Sequence, residues 1–445
     1  GRTAAPLVTF ANSTPQERVL LVDFLATVDA DYFQKIRASV KSCAGSRIPV
    51  TGTQVAFGGL INHASHASMD FTDTHFYVDH YSFPGGWDEK DWYIENTVLA
   101  EVGFSPLIGA ALMRTSGKPF TVSEYNQPWP NPDGIAIDMA TAAAAVIQDW
   151  SAVMHFNYSN NDLYTQLFPV GFNLSGDAGR IAVLGQSALL FRLAKASPVE
   201  RAFKYSESDE RQLSASATKQ RHMPKLVKSL FGLSSDDLLN SRISLTKAAQ
   251  RGSVLREKKP GMTNPVLFKT TDKSLSVNAP MLRARYGVVK NGMVGDSGLA
   301  LRFSGKAPNS AILVLSASQG AALNDSQRFL LSVPGPVWRS DADGEPVLLS
   351  RYGGGWSVVE GGKLTLQPLQ SYQGFSIMQR FPATAAVKLP PGSKWQVFAL
   401  DYRGQRAFEL VGERVAHSLS DSTIFIMLQP DDPSPWYEII RNADL

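Results

Sequence analysis

The 445-residue sequence is poor in cysteine and has no excess of either charge. Its one cysteine, Cys43, excludes an intrachain disulfide and any metal site built from several cysteines. Because 43 lysine and arginine residues nearly balance 40 aspartate and glutamate residues, overall charge gives no reason to expect a polyanion partner. The rest of the composition, 44% hydrophobic and 19% charged, is that of a folded globular protein with a large core.

Long apolar runs are also missing. None approaches the roughly 20 residues that a membrane-spanning helix needs. The longest, 139–147, is rich in alanine and predicts a helix buried against a sheet. No signal peptide or lipidation motif is visible, and Gly1-Arg2-Thr3 is not a translation start. We therefore expect no membrane span and no nucleic-acid partner, and we expect a mature, processed or truncated product.

The first 200 residues alternate between helical and strand patterns. Apolar residues at three- and four-residue steps predict an amphipathic helix over 14–42, begun by Ser13 or Thr14. A second helix is predicted at 176–195. Four strands are predicted between these helices, at 48–54, 73–80, 119–124 and 152–158. Such alternation is typical of a parallel sheet, and four units amount to half of a (β/α)8 barrel.

The remaining 245 residues form two segments of different composition and pattern. Residues 201–264 are polar, and 201–260 hold 13 basic and 6 acidic residues, with short helices predicted at 225–231 and 239–249. We interpret this segment as a solvated insertion or linker, with contact to an anionic polymer as the alternative. From 265 to 445, short alternating segments separated by turn residues predict an antiparallel β-sandwich. Its strands are predicted at 266–270, 299–303, 311–316, 328–332, 363–367, 395–400, 423–428 and 436–440.

Candidate catalytic residues lie where the predicted strands end, which is where (β/α) barrels carry their working side chains. Glu124 ends the third strand. On the strand before it, the two-residue period puts His75 and Tyr77 on one face. His155 or Tyr158 holds the corresponding place on the last strand. Each of these has a structural alternative: a surface glutamate, a packed tyrosine or a hydrogen-bonded core histidine.

Three runs carry a family resemblance: Asp73-Thr74-His75-Phe76-Tyr77, Phe83-Pro84-Gly85-Gly86-Trp87-Asp88, and 117–126 with its strand-terminal Glu124. Together they resemble the second half of the barrel of clan A glycoside hydrolases, and within that clan bacterial cellulase-family proteins with an appended β-sandwich. The resemblance covers nearly the whole chain, least clearly 205–260. It implies strands five to eight of a (β/α)8 TIM barrel over 1–200, then a β-sandwich, in a secreted or periplasmic protein.

The resemblance also implies a retaining double displacement on a β-linked glucan, mannan or related polysaccharide, without a cofactor. One carboxylate attacks the anomeric carbon while a second, about 5 to 5.5 Å away, protonates the leaving oxygen. Glu124 matches the nucleophile. Tyr77 and His75 match the groups that hold this carboxylate ionised by hydrogen bonding.

Sugar binding calls for flat aromatic faces and polar groups, because a pyranose has an apolar face and a rim of hydroxyls. The loops after the strands supply tryptophans, and the strand ends supply amides. The predicted substrate-binding residues are Trp129, Gln54, Asn126, Trp87, His155 and Tyr158. For each aromatic, ordinary packing is the alternative.

Two other chemistries find little support. Four of the seven histidines, including His63 and His66, lie between residues 63 and 80, but their spacing along a loop and a strand argues against convergence on one metal ion. No Gly-x-Ser-x-Gly run marks a serine nucleophile. We expect no metal site.

One departure from the family is large. Its acid/base carboxylate follows an asparagine at the end of the fourth strand, and no Asn-Glu pair occurs in this sequence. The helix at 14–42 resembles the helix after that strand. We therefore expect a separate polypeptide to supply the N-terminal half of the barrel, without which the enzyme is incomplete. The alternative is a catalytically inactive carbohydrate-binding or polysaccharide-assembly protein on the same fold.

Overall fold

The computed structural model describes residues 12–55, 62, 65–83, 92–159, 168–193, 202–206, 223–246, 265–318, 321–340, 343, 349–352, 355–360, 363–364, 375–391, 394–418 and 422–441. The helices are α1 Pro15–Ala44, α2 Ser105–Ala111, α3 Ile137–Gln148, α4 Ala178–Leu193, α5 Met223–Phe231 and α6 Ser235–Leu239. The strands before residue 265 are β1 Thr72–Tyr77, β2 Phe120–Asn126, β3 Ala152–His155, β4 Ala202–Ser206 and β5 Arg242–Thr246.

Helix α1 begins where the sequence predicts. The Thr14 hydroxyl accepts a hydrogen bond from the Glu17 N–H, and the Glu17 carboxylate accepts one from the Thr14 N–H at 2.7 Å, which closes a capping box. Near the other end, Arg37 and Lys41 form ion pairs with Asp70 at 2.6 and 2.8 Å. These two cations hold the pKa of Asp70 well below its usual range. The C-terminal half of α1 is thereby tied to the segment that leads into β1.

Strands β1, β2 and β3 form a parallel sheet with β2 in the middle. One face of this sheet packs against the helices: Phe120 and Val122 are fully buried, and Phe76 stacks on Tyr125 with ring centroids 5.7 Å apart. The alanine-rich run predicted as a buried helix is α3, and its alanines lie in the same core. Three of the four predicted parallel strands and both predicted helices of this region are confirmed.

The strand predicted at 48–54 is wrong, because this segment is described and has no strand pairing. Pro49 has no N–H to donate to a ladder. The Thr53 N–H donates to Nε2 of buried His66, at 3.2 Å, instead of to a neighbouring strand. The main-chain bond from the Val55 N–H to the Asp73 carbonyl of β1, at 2.9 Å, comes one residue after the segment.

The described part of the predicted linker is less solvated than expected. Its strands β4 and β5 pair in parallel, and β5 occupies a stretch for which a helix, 239–249, was predicted wrongly. Leu238, Leu239 and Ile243 are buried in the core that also contains α3. Apolar side chains around 238–243 therefore anchor this segment, although its composition is basic.

From residue 265 onward the chain is almost entirely antiparallel strands. These are β6 Val266–Lys269, β7 Ser274–Ala279, β8 Leu282–Val288, β9 Met293–Asp296, β10 Leu299–Phe303, β11 Ser310–Ala317, β12 Arg328–Ser332, β13 Val337–Arg339, β14 Leu349–Tyr352, β15 Gly355–Glu360, β16 Lys363–Leu364, β17 Ser376–Met378, β18 Ala383–Lys388, β19 Trp395–Leu400, β20 Arg406–Leu410, β21 Val415–Ser418, β22 Thr423–Leu428 and β23 Trp436–Arg441.

Two of their sheets form the sandwich-like part. One has five strands in the order β21-β22-β18-β10-β9, and the other has eight in the order β20-β19-β23-β12-β11-β8-β7-β6. Their facing side chains, among them Leu301, Leu331 and Ile426, share one buried core. Each predicted sandwich strand overlaps an observed one, although β16 ends at Leu364. Strands such as β7, β8 and β18 were not predicted, although polar and apolar residues alternate regularly in β7 and its burial follows the same period.

A buried carboxylate joins the two parts of the molecule. Asp133, on the turn before α3, accepts hydrogen bonds from the Leu99 N–H and the Gln127 side chain and from two sandwich hydroxyls, those of Tyr286 and Ser310. Burial raises the pKa of Asp133, while these four donors oppose that shift. The side chain acts as a shared acceptor at the joint between the parallel sheet's helices and the sandwich.

Hydrogen bonds from α4 extend this joint. The Gln186 side chain donates to the Ser316 hydroxyl at 2.9 Å, and the Trp436 indole N–H donates to the Ala182 carbonyl at 2.9 Å. The eight-stranded sheet is thus partly covered on its outer face by α4. Within the described ranges, the helices do not include one long and apolar enough to cross a membrane.

Replacing the shared acceptor tests how far the two parts depend on each other. Asp133→Ala leaves four buried donors without an acceptor, so we expect the free energy of unfolding to fall by about 3–5 kcal/mol in urea titrations. Asp133→Asn keeps one oxygen and should cost about 1–3 kcal/mol. The exposed Asp272→Ala serves as control and should stay within about 0.5 kcal/mol of wild type. Equal losses for Asp133→Ala and Asp272→Ala would contradict this role.

Candidate functional site

An extra residue in β2 determines which way Glu124 points. Against β1, the register runs from Thr74 opposite Val122 directly to His75 opposite Glu124, so Ser123 has no partner of its own. The pairing of β2 with β3 shows the same irregularity between Val122 and Tyr125. By strict alternation Glu124 would share the helix-packed face with Val122. The bulge turns it to the opposite face, beside Ser123, and bulges commonly re-aim a side chain in this way.

On that face, two side chains of β1 converge on one oxygen of Glu124. The Tyr77 hydroxyl donates to Oε2 at 2.6 Å, and His75 Nδ1 lies 3.2 Å from the same atom. About a third of the Glu124 side chain remains exposed, at 32%. Burial and the neighbouring carboxylate both raise the pKa of the Tyr77 hydroxyl, which therefore stays a hydrogen-bond donor across the physiological range. Oε1 has no comparable contact assigned to it among the described residues.

A second layer of polar groups positions His75. Its Nε2 lies 2.8 Å from the Ser123 hydroxyl and 3.5 Å from Asp73 Oδ2. Asp73, which is nearly buried, accepts from the Ser123 hydroxyl at 2.6 Å and from the Ser123 N–H at 3.1 Å. His75 therefore lies between Glu124 on one side and Asp73 with Ser123 on the other.

Aromatic rings that the sequence did not single out surround Tyr77. Phe172 lies 5.3 Å from it and Phe156 6.4 Å, both edge to face, and His80 lies 5.6 Å away. Both phenylalanines are half-buried. They come from the segments after β3, so only the fold reveals that they meet Tyr77. The position of Phe156 at the carboxyl end of β3 is the one signal in the sequence that could have identified it.

Asn126, predicted to bind sugar, is fully buried and forms hydrogen bonds within the protein instead. Its amide group donates to the carbonyls of Phe156 and Phe172, and its oxygen accepts from Arg180 at 2.8 Å. Arg180 in turn pairs with Asp177 at 2.8 Å. Asn126 therefore ties the end of β2 to the segment after β3 and to α4, which leaves no polar atom directed at a substrate.

Trp129 does not form an open aromatic platform, contrary to the prediction. It is 3% exposed, and its indole N–H donates to the Val337 carbonyl of the sandwich at 2.9 Å. The Tyr81 hydroxyl donates to its main-chain carbonyl, and Arg339 lies over its ring. Trp92, in the same small cluster, is fully buried. These tryptophans pack the joint with the sandwich rather than face solvent.

His155 is likewise turned away from Glu124. Its Nδ1 lies 2.8 Å from Asp138 of α3, which also accepts from the Tyr125 hydroxyl at 2.7 Å. This pair holds the pKa of Asp138 below its usual value in spite of burial. His155 thus belongs to the helix-packed face, and its exposed neighbour Met154 takes the other. Tyr158, just past β3, is 54% exposed and stays a predicted substrate contact.

Two predicted substrate contacts, Gln54 and Trp87, and two of the four clustered histidines are still to be placed. Gln54 is half-buried in the segment before β1, and Trp87 and His63 lie outside the described residues. His66 is buried against Phe33 of α1, and burial lowers the pKa of its imidazole. In the part of the chain that the structure describes, histidine, cysteine and carboxylate side chains form no group of three or more that could hold a metal ion.

Ser123, His75 and Glu124 form a connected series of hydroxyl, imidazole and carboxylate, as in the catalytic triad of a serine hydrolase. The hydroxyl proton of Ser123, however, is directed at Asp73, and Ser123 and Glu124 are neighbours on one bulged strand. A serine nucleophile needs its proton shared with the histidine base. Ser123 therefore lacks the proton arrangement of a serine nucleophile, and its hydroxyl instead connects His75 with Asp73.

Comparison with known proteins adds no relative to this picture: no family model, no curated protein and no solved structure matches the chain.

Proposed function

We propose that this protein is a retaining β-glycoside hydrolase that acts on a β-linked poly- or oligosaccharide, with Glu124 as its nucleophile. The observation that carries the proposal is the convergence of Tyr77 and His75 on Oε2 of a carboxylate at the carboxyl end of a parallel strand. A carboxylate held through one oxygen keeps a fixed orientation and presents the other oxygen to an electrophile.

The chemistry fits these atoms. Oε1 of Glu124 attacks the anomeric carbon while the bond to the leaving oxygen breaks, and that oxygen takes a proton from a second carboxyl group. Water then attacks the glycosyl ester, gives its proton to the same second carboxylate, and releases the sugar and Glu124. Tyr77 and His75 hold Glu124 in one orientation in both steps through their contacts with Oε2. Phe156 and Phe172 beside Tyr77 supply apolar surface for a pyranose face.

We further propose that the parallel sheet is strands six to eight of a (β/α)8 barrel that other strands complete. Three consecutive parallel strands alternate with helices that pack on one face. Among the described residues, β1 and β3 each pair on one side only, and Met154 on the opposite face is 53% exposed. An open face of this kind favours a covering layer.

Helix α1 gives further support for added strands. Its side chains Leu20, Phe24, Val28 and Tyr32 are all more than half exposed. A partner polypeptide with the remaining strand-helix units would bury this stripe, and an Asn-Glu pair on it would supply the acid/base carboxyl group. Such a general acid is typically worth about 100- to 10,000-fold in rate.

The nucleophile can be tested separately from the acid, because a dinitrophenolate leaves without protonation. With a panel of dinitrophenyl β-glycosides, Glu124→Gln should abolish turnover, since the amide cannot attack the sugar. A matching 2-deoxy-2-fluoro glycoside should add one glycosyl mass to the peptide that contains Glu124. Ser123→Ala, the matched control on the same bulge, should retain activity within about tenfold. Turnover by Glu124→Gln within about tenfold of wild type would refute the assignment, and loss only in Ser123→Ala would favour the serine alternative.

Tyr77→Phe should reduce kcat by about 10- to 1000-fold, because it removes one hydroxyl donor from Glu124 while keeping the ring against Phe172. The unfolding midpoint should change little. Tyr32→Phe on the exposed face of α1 controls for loss of a hydroxyl elsewhere. Unchanged kcat in Tyr77→Phe would show that this contact does not contribute to catalysis.

The proposed partner polypeptide over the open sheet face and α1 can be tested through self-association of the chain. Because the open sheet face and α1 expose apolar side chains, we expect the purified 445-residue chain to associate in light-scattering measurements, and to hydrolyse unactivated polysaccharide poorly. Phe24→Glu should lower the associated mass, whereas Phe425→Glu on the sandwich should not. A monomeric chain with full activity on unactivated substrate would show that the site is complete without a partner.

A further inference from the structure

A groove of about 450 Å³ crosses the outer face of the eight-stranded sheet, over β12, β23 and the turn after β19. Strand alternation explains its position. Phe329 and Tyr437 point into the sandwich core, so their neighbours Arg328, Trp436 and Glu438 face outward. Helix α4 covers the adjoining part of this face, and the groove begins where α4 ends its contact at Trp436. The groove shares no lining residue with the site around Glu124.

The floor of the groove carries a surplus of positive charge. Glu438 is 2% exposed, and its two oxygens are taken by Nε of Arg328 and, at 2.5 Å, Nε of Arg406. Both arginines bind through Nε, and their side chains are about half exposed. Their terminal Nη groups therefore extend beyond the carboxylate they share. Arg403 on the rim adds a third cation. Arg328 and Arg403 line the groove, and Arg406 lies beside it with its guanidinium over the Phe398 ring. These three cations exceed the two carboxylates of Glu438 and Asp401 by one charge.

The rim of the groove is aromatic and already ordered. Tyr402 is 53% exposed and lies 6.0 Å from Trp436, edge to face. Its turn is fixed by Asp401, whose carboxylate accepts from the main-chain N–H groups of Arg403 and Gln405 at 2.8 and 2.9 Å. Gly404 closes the turn with a φ of +76°, which favours glycine. A rim held in place without ligand loses little entropy on binding.

We infer that this groove binds an acidic oligosaccharide, one whose residues are uronic acids. The Tyr402 and Trp436 rings offer flat surface to the apolar face of a pyranose. The free ends of the arginines suit a sugar carboxylate, because guanidinium groups bind carboxylates in bidentate geometry. A neutral sugar would leave the cations unused, and an acidic peptide would leave the aromatic rim unused.

Calorimetric titration of the full chain tests this inference, with Glu124→Gln as background so that hydrolysis cannot interfere. Three probes separate the chemistries: tetragalacturonate, its methyl ester, which is the same sugar without charge, and a tetraglutamate peptide. We expect tetragalacturonate to bind one per chain, at least about tenfold more tightly than either other probe, and to weaken as salt rises.

Variants locate the binding. Tyr402→Ala and Arg403→Ala, both on the exposed turn, should each weaken tetragalacturonate binding about tenfold. Phe425→Ala and Lys306→Ala remove an exposed ring and a positive charge elsewhere and should leave binding unchanged. Failure of tetragalacturonate to bind, equal binding of the glutamate peptide, or binding that ignores Tyr402→Ala and Arg403→Ala would each overturn the inference. None of these results bears on Glu124, whose role is judged by turnover of dinitrophenyl glycosides and by covalent labelling.

Discussion

The single extra residue at Ser123 is the constraint on which the candidate site depends. Without it, the two-residue period of β2 would send Glu124 among the buried side chains that face the helices, with Phe120 and Val122. With it, Ser123 and Glu124 both reach the face that holds His75 and Tyr77. The cost is a broken ladder at one position, which the hydroxyl and N–H of Ser123 offset by bonding to Asp73.

The sandwich contributes to this site at a distance, through buried hydrogen bonds rather than direct contact. Tyr286 of the sandwich donates to Asp133, whose own N–H donates to the Asn131 side chain at 2.9 Å. Asn131 then donates to Asp79, two residues past Tyr77, at 2.9 Å. Burial raises the pKa of Asp79, and its four hydrogen-bond donors, Asn131 and the N–H groups of His80, Glu95 and Thr97, oppose that shift. The sandwich therefore fixes the chain immediately after β1, which in turn fixes where Tyr77 can point.

The sequence predicts the regular parts of this fold well and its exceptions poorly. Helix α1, strands β1 to β3 and the main sandwich strands follow from periodicity and turn residues, because burial on one face imposes those patterns. The segment 48–54 has the composition of a strand, yet its Thr53 N–H bonds to His66, a contact that only tertiary structure creates. The pairing of Tyr77 with Glu124 was predicted from a family resemblance. The bulge that makes it possible appears in the sequence only as a break in the two-residue period, with apolar residues at 120, 122 and 125. Such a break can equally mark the end of a strand.

Three of the predicted sugar contacts, Asn126, Trp129 and His155, form internal hydrogen bonds instead, for a related physical reason. Amides and tryptophans near a strand end suit a substrate, but they equally suit a joint between two layers, where buried polar groups must be paired. In this protein they serve the joint. Asn126 accepts a hydrogen bond from Arg180 and Trp129 donates one to the Val337 carbonyl, while His155 contacts Asp138. The polar groups left around Glu124 in the described structure orient the carboxylate and do not form a hydroxyl-binding rim. On the proposed function, recognition of the sugar hydroxyls must then come mainly from the layer that covers the open sheet face. The same layer has to bring the acid/base carboxylate, so specificity and leaving-group protonation would be supplied together, while this chain supplies the nucleophile.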